Sequence, residues 1–170
     1  FVSSLALAAI GTSNPLMTLV ILMLNGICLG AGILVGLLYG AKDYKKLERQ
    51  VSTALISGTI FSLVMSIFAF VFAKELLIIL QVEDQLLIEA TSYLRIISLG
   101  LVFTFLYNFF ASTLRAMGDS KSPLIFLGIS ALLNIIGDLI FVIVFKLGIH
   151  GVAISTVISE GLSALMCLIY

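Results

Sequence analysis

The chain has 170 residues, of which 61% are hydrophobic and 11% are charged, and its nine basic and nine acidic side chains cancel to a net charge of zero. Soluble domains are about half apolar and about a quarter charged, so this composition excludes an ordinary water-soluble protein and places the chain in a lipid bilayer. The zero net charge gives no reason to expect a nucleic acid or an acidic substrate as partner.

Five apolar stretches are long enough to cross a bilayer, which takes about 20 mostly apolar residues. They cover approximately residues 14–39, 51–73, 93–114, 123–145 and 151–170. Residues 1–12 are apolar but too short to span, and we expect them to be the tail of an earlier span with its loop. The sequence therefore predicts an all-α integral membrane protein with five transmembrane helices.

Both ends of the sequence indicate part of a larger membrane protein. It starts at Phe1 with no signal-peptide pattern and stops within an apolar run at Tyr170. Cys28 and Cys167 lie in apolar runs and His150 stands alone, so we expect packing cysteines, no disulfide, no transition-metal centre and no cofactor.

The connections between the spans are short, and their charges predict an orientation. We expect a short interfacial helix and a turn within residues 74–92. The segments 40–50 and 115–122 fall on one side and carry Lys42, Lys45, Lys46, Arg49, Arg115 and Lys121. The opposite side has Lys74, Arg95 and Lys146. The positive-inside rule makes 40–50 and 115–122 cytoplasmic, in a multi-pass protein of the cytoplasmic membrane.

One carboxylate, Asp138, lies inside the fourth span, about 7 residues or roughly 10 Å from its outer end. An Asp at the centre of a span costs about 2.5–3.5 kcal/mol, so such acids are by default functional. Asn134 and Ser130 precede it at intervals of four residues and form one polar stripe with it. Carboxylate and amide oxygens suit H⁺ or Na⁺. The alternative is a structural acid hydrogen-bonded to a neighbouring helix.

Further polar side chains lie in the other spans. Thr156 in the fifth span lies at a depth similar to that of Asp138, and the short outer loop makes the two spans antiparallel neighbours. Glu160 lies one turn deeper, and a functional role is about as well supported as a structural one. Asn25 and Asn108 are mid-membrane and fit interhelical packing better than a binding site.

Four stretches resemble the multidrug and toxic compound extrusion (MATE) family of transporters. They are LALAAIGTSNPL at 5–16, GAKDYKKLE at 40–48, LRAMGDSKSPL at 114–124, and LNIIGDLIF at 133–141 followed by GVAISTVIS at 151–159. The third is the most specific, because its Arg115, Gly118, Asp119 and Pro123 fit the family's loop before its fifth helix.

The resemblance implies that the five spans are helices two to six of a six-helix N-terminal lobe, in a two-lobed antiporter that exchanges Na⁺ or H⁺ for organic, often cationic, compounds. In the family branch with an acidic N-lobe, the cation site matches Asn134, Asp138 and Thr156 here, together with an Asp on the family's first helix. Glu160 stands where the family more often has Gln.

Two other classes stay open. A relative in the same superfamily flips lipid-linked or polysaccharide precursors, and a wide basic central cavity would favour that function. A non-transporting membrane scaffold would use the polar residues only to hold helices together. An integral-membrane enzyme is the least favoured class, because the sequence shows no nucleophile–base pair and no metal-ligand spacing.

Overall fold

The computed structural model describes residues 4–170, with side-chain surroundings from Ala8 onward. This part of the chain forms six α-helices: α1 (Ser4–Gly40), α2 (Tyr44–Val71), α3 (Ala73–Ile79), α4 (Asp84–Ala116), α5 (Lys121–Leu139) and α6 (Gly148–Ile169). A π-helical turn, Ile140–Val144, continues α5. All but α3 are long and apolar enough to cross a membrane. The prediction of an all-α membrane protein with five spans is confirmed.

The N-terminal end of α1 differs from the prediction, because the described residues before Asn14 continue directly into the first span as one helix. Pro15 lies inside this helix, and its missing N–H removes one backbone hydrogen bond. The hydroxyls of Thr12 and Ser13 donate to the carbonyl of Ala9 at 3.0 and 2.8 Å. A helix in lipid can tolerate a proline that would signal a loop in water, because the backbone has no water to bond with if the helix unwinds.

The segment between the second and third spans contains the predicted short helix, α3, and the predicted turn. The turn lies at residues 80–83, where Gln81 adopts a left-handed φ of 56°. Helix α4 then begins at Asp84, well before the predicted start of the span near Tyr93. Residues 84–92 have apolar side chains at helical spacing with acidic ones between them. They therefore form additional turns at the polar end of α4.

Helix α4 is the centre of the bundle and packs against α1, α2, α3 and α6. Its Phe105 and Phe109 are fully buried and stacked, with ring centroids 5.8 Å apart. Gly58 of α2 admits the Phe105 ring, and Gly32 of α1 lies against Ser112, at positions where a Cβ would clash. Without a hydrophobic drive between helices in lipid, such small residues permit the close contacts that hold the bundle together.

Helix α5 lies at the edge of the bundle, where it packs mainly against α6. Only Pro123 and Ser130 of α5 are buried, whereas most of its Leu and Ile side chains are exposed in the described chain. Gly137 faces Ser155, and a Cβ at Gly137 would lie 2.5 Å from the Ser155 Oγ. The α5–α6 seam therefore carries the polar stripe predicted from the sequence.

The two loops predicted to be cytoplasmic each place an acid at the start of the next helix. Asp43 accepts from the backbone N–H of Lys46 at 3.2 Å and pairs with its ammonium at 2.8 Å. Asp119 accepts from the N–H groups of Lys121 and Ser122 at 3.1 and 3.0 Å. These bonds satisfy donors that a helix start leaves free.

Candidate functional site

The seam between α5 and α6 is built from short polar contacts. The Asn134 amide donates to the hydroxyls of Ser155 at 3.2 Å and Thr156 at 3.5 Å. Ser155 in turn donates to the Asn134 carbonyl at 2.9 Å. One turn deeper, Ser130 donates to the carbonyl of Ser159 at 2.5 Å. The structure thus brings Asn134 and Thr156 together across the seam.

Asp138 lies one turn beyond Asn134 on α5, at the end of this seam nearest the α5–α6 connection. Its Oδ1 atom is buried and, within the described residues, has no hydrogen-bond partner. No hydrogen bond joins it to Asn134 or Thr156 in the described chain, and Thr156 instead donates to the Val152 carbonyl at 2.9 Å. A buried carboxylate oxygen without a partner is costly, so its position fits a group that accepts a proton or a small cation.

A cavity of about 400 Å³ opens beside the seam, between α1, α4, α5 and α6. It brings together six of the seven sequence-predicted site residues, whereas Asp138 is not part of its lining. The lining includes Asn25, Asn108, Ser130, Asn134, Thr156 and Glu160, with Thr104, Ser159 and Ser163 as further polar groups and Ile21, Tyr107, Leu127 and Ala131 as less polar ones. This volume falls within the range typical of small-molecule sites.

Glu160 enters this cavity from α6 and is held by α4. Its Oε2 atom accepts a hydrogen bond from the Thr104 hydroxyl at 2.8 Å. The Asn108 amide donates to the Thr104 carbonyl at 2.7 Å, which ties the two α4 side chains to one turn. The polar partner of Glu160 in the described chain is thus Thr104.

Asn25 and Asn108 also line a second, smaller cavity of about 260 Å³ toward the end of α4 that carries Arg115. Asn25 and Asn108 therefore lie between the cavity lined by Arg115 and the cavity lined by Glu160. Asn108 bonds to Thr104 of its own helix, and interhelical packing by Asn108 stays a prediction.

Three residues at the site are absent from the sequence-based candidates. Ser155 is a nearer partner for Asn134 than Thr156 is, Thr104 holds Glu160, and Gly100 makes room for it. The spacing of Thr104 four residues before Asn108 was a usable signal for a shared helix face. The sequence gives no signal that α4 and α6 meet at Gly100, because that contact depends on how non-consecutive helices pack.

Curated proteins resemble the chain over nearly its whole length. It is 31% identical over 165 residues to the probable multidrug resistance protein YpnP of Bacillus subtilis, covering 97% of this chain and 37% of that protein. It is 33% identical over 171 residues to the probable multidrug resistance protein YoeA of the same species, covering 97% and 36%. The multidrug export protein MepA of Staphylococcus aureus is 30% identical over 164 residues, covering 96% and 36%. The chain thus spans little more than a third of these relatives.

Solved structures share the fold. The chain superposes on a MATE structure in the bent conformation with a TM-score of 0.93 and 22% identity, covering 97% of this chain and 37% of that one. An inward-facing multidrug resistance MATE family transporter gives a TM-score of 0.91 at 22% identity, covering 96% and 37%. The sequence matches the MatE family over residues 1–140. In agreement with its four motifs, the chain belongs to the MatE family.

Proposed function

We propose that this chain is part of the N-terminal lobe of a cation-coupled antiporter that exports drugs or other organic compounds across the cytoplasmic membrane. The family membership supports this proposal, as do curated relatives named as multidrug resistance and export proteins. These names favour transport over catalysis and over a scaffold. Segments 40–50 and 115–122 would face the cytoplasm, and the rest of the transporter would complete the lobe and supply the second one.

Asp138, Asn134 and Thr156 form the proposed cation site. The observation that carries this assignment is the buried Asp138 Oδ1, which has no partner in the described chain and lies one turn from the Asn134 amide. Asn134 in turn contacts Thr156 on α6. Carboxylate, amide and hydroxyl oxygens are hard ligands, which suit Na⁺ or a proton rather than a soft metal.

Coupling follows if the cation stabilises one arrangement of the α5–α6 seam over another, because a ligand shifts an equilibrium only through its differential affinity for the two states. Asn134 spans the seam, whereas Asp138 carries the charge. A cation at Asp138 would neutralise a carboxylate that is expensive to leave empty inside the membrane. Release of the cation would restore that cost and favour a rearranged seam.

The test is Asp138→Asn in the complete transporter, reconstituted in proteoliposomes with a Na⁺ or a proton gradient in separate arms. We expect the wild type to expel ethidium with one gradient, and the variant to lose that stimulation because an uncharged amide no longer exchanges the cation. Asp84→Asn, the same change at an exposed acid at the start of α4, serves as control. Gradient-driven efflux that persists unchanged in Asp138→Asn at every pH would refute the assignment.

A further inference from the structure

Glu160 is the one residue with a formal charge in the described lining of the 400 Å³ cavity. The other polar lining groups are amides and hydroxyls, which are neutral. Part of the remaining wall is apolar, and the Tyr107 ring adds an aromatic surface. The Tyr107 hydroxyl donates to the Pro123 carbonyl at 3.2 Å, which anchors that ring to α5. The cavity therefore combines one carboxyl group, one aromatic ring and apolar walls.

The carboxyl group of Glu160 occupies a niche built by α4. A Cβ at Gly100 would lie 2.8 Å from Glu160 Oε2 and 3.1 Å from the Val157 Cγ2, so only glycine leaves this space free. Thr104, one turn along α4, donates to the same oxygen at 2.8 Å. Within the described chain no basic side chain pairs with Glu160, since the single ion pair joins Lys46 and Asp43. The niche and the Thr104 hydroxyl hold this carboxyl group, and no basic side chain of the described residues neutralises it.

Glu160 is also distinct from the acid of the proposed cation site. Asp138 lies outside the cavity lining, and its Oδ1 is buried. Glu160 lines a space large enough for a small organic molecule. Of these two carboxyl groups, Glu160 therefore lines the 400 Å³ cavity and Asp138 does not.

We propose that Glu160 is the counter-ion for a monovalent organic cation bound in this cavity. The proposal rests on the proposed function, whose substrate site it locates within this lobe. A carboxylate supplies the opposite charge, and the Tyr107 ring supplies a cation–π surface for an onium group. The apolar wall accommodates the hydrocarbon part of the molecule. Glu160 therefore sets the preference of the site for cationic over neutral compounds.

The test measures binding to the purified complete protein in detergent by titration calorimetry, with no ion gradient. Two probes differ in charge but share aromatic groups: tetraphenylphosphonium, a permanent cation, and uncharged triphenylphosphine oxide. We expect Glu160→Gln to weaken tetraphenylphosphonium binding by about tenfold or more, the usual effect of losing a charged partner. Binding of triphenylphosphine oxide should stay within about twofold, because glutamine keeps the shape and still accepts from Thr104.

Glu160→Asp retains the charge and is the second variant, for the case in which glutamine destabilises the protein. It should still bind tetraphenylphosphonium more tightly than the neutral probe. Asp84→Asn is the matched control and should bind both probes as the wild type does. Unchanged tetraphenylphosphonium affinity in Glu160→Gln overturns the proposal, as does an equal loss for both probes or a wild type that does not bind the cation. A wild type that binds charge-selectively but shows no gradient-driven efflux supports this inference and refutes the antiporter.

Discussion

Asp138 and Glu160 place two carboxyl groups in an apolar interior, but their surroundings differ. Asp138 has a buried oxygen without a partner in the described residues, whereas Glu160 accepts from Thr104. Intramembrane acids are rare because each is costly, and two within one pair of adjacent helices are hard to explain by packing alone. The proposed division of tasks, with a small cation at Asp138 and an organic cation at Glu160, would account for both positions.

The polar residues themselves could be predicted, because each is conspicuous in an apolar span. Depth along the two spans placed Thr156 level with Asp138, whereas in the described chain Thr156 contacts Asn134 and has no hydrogen bond to Asp138. The same reasoning did not identify Ser155, since serine is common in membrane helices and its role depends on the exact rotation of α6. It also could not show that Asp138 lies outside the cavity lining, because the lining depends on how α1, α4 and α6 pack beside α5.

Asp119 provides a prediction outside the membrane. Hydrogen bonds from Ser122, together with the N–H of Lys121, lower the pKa of Asp119 to about 2. A lowered pKa means that the ionised group stabilises the folded state above the ordinary Asp pKa of about 3.9. This contribution is lost as the pH falls through the folded-state pKa. We therefore expect Asp119→Ala to lower the melting temperature of the complete protein at pH 6, and by less at pH 3.

The measurement is the difference in melting temperature between wild type and variant at each pH. Glu48→Ala, which removes an exposed acid of α2, controls for the general effect of losing a negative charge. A difference for Asp119→Ala that is as large at pH 3 as at pH 6 would show that the carboxylate is not the stabilising group.

At the scale of the helices, the five spans were predictable because about 20 consecutive apolar residues have few alternatives to a membrane helix. The ends of the helices were less predictable. The GTSNP run before Leu16 looks like a loop, yet it lies inside α1. Turn-forming residues lose their usual effect in lipid, where an unsatisfied backbone costs more than a poor helix former. Helix α5 begins at Lys121, close to the predicted start of the span at 123, with Gly118 in the preceding turn at φ 101° and Pro123 in the first helical turn.

Two glycines of α5 give a matched test of the seam. Gly137 faces Ser155, with a Cβ placed 2.5 Å from its Oγ, whereas a Cβ at Gly128 meets no atom within 4 Å. Gly137→Ala should force α5 away from α6 and destabilise the complete protein by about 1–3 kcal/mol, as overpacking usually does. Gly128→Ala should be neutral or stabilising by up to about 1 kcal/mol, because alanine is the better helix former.

Thermal unfolding in detergent measures both variants, and sodium- or proton-driven efflux measures the effect on the seam. Equal melting temperatures for Gly137→Ala and Gly128→Ala would contradict the close approach of α5 to α6 at this point. A Gly137→Ala variant that is as stable as wild type but transports poorly would instead indicate that the added methyl group disturbs the Asn134 contacts with Ser155 and Thr156.

At the scale of the whole molecule, α4 organises the bundle because it contacts four other helices closely. This central role could not be read from the sequence, in which all five spans are similarly apolar. The order of helices along the chain suggests neighbours, such as α5 and α6, but not the packing of α1 against α4. The buried Phe105 and Phe109 of α4, together with glycines on its partners, are what select this arrangement.

The predicted orientation can be tested with single cysteines. In a background with Cys28 and Cys167 replaced by alanine, Lys45→Cys in the first turn of α2 and Lys146→Cys in the loop before α6 place exposed thiols on opposite sides of the bundle. A membrane-impermeant maleimide applied to intact cells should label Lys146→Cys, and should label Lys45→Cys only after permeabilisation, because the basic loops stay in the cytoplasm. The reverse labelling pattern would invert the proposed topology.

The π-helical turn after Asp138 has a consequence for the evolution of this region. A π turn accommodates one residue more than the α-helix on either side of it. Deleting one residue within Ile140–Val144 would therefore convert the turn to α-helix, leaving Asn134, Asp138 and the start of α6 in register. The same deletion before Asp138 would rotate the acid away from the seam by about 100°. Single-residue gaps among relatives should thus be tolerated after Asp138 and selected against before it.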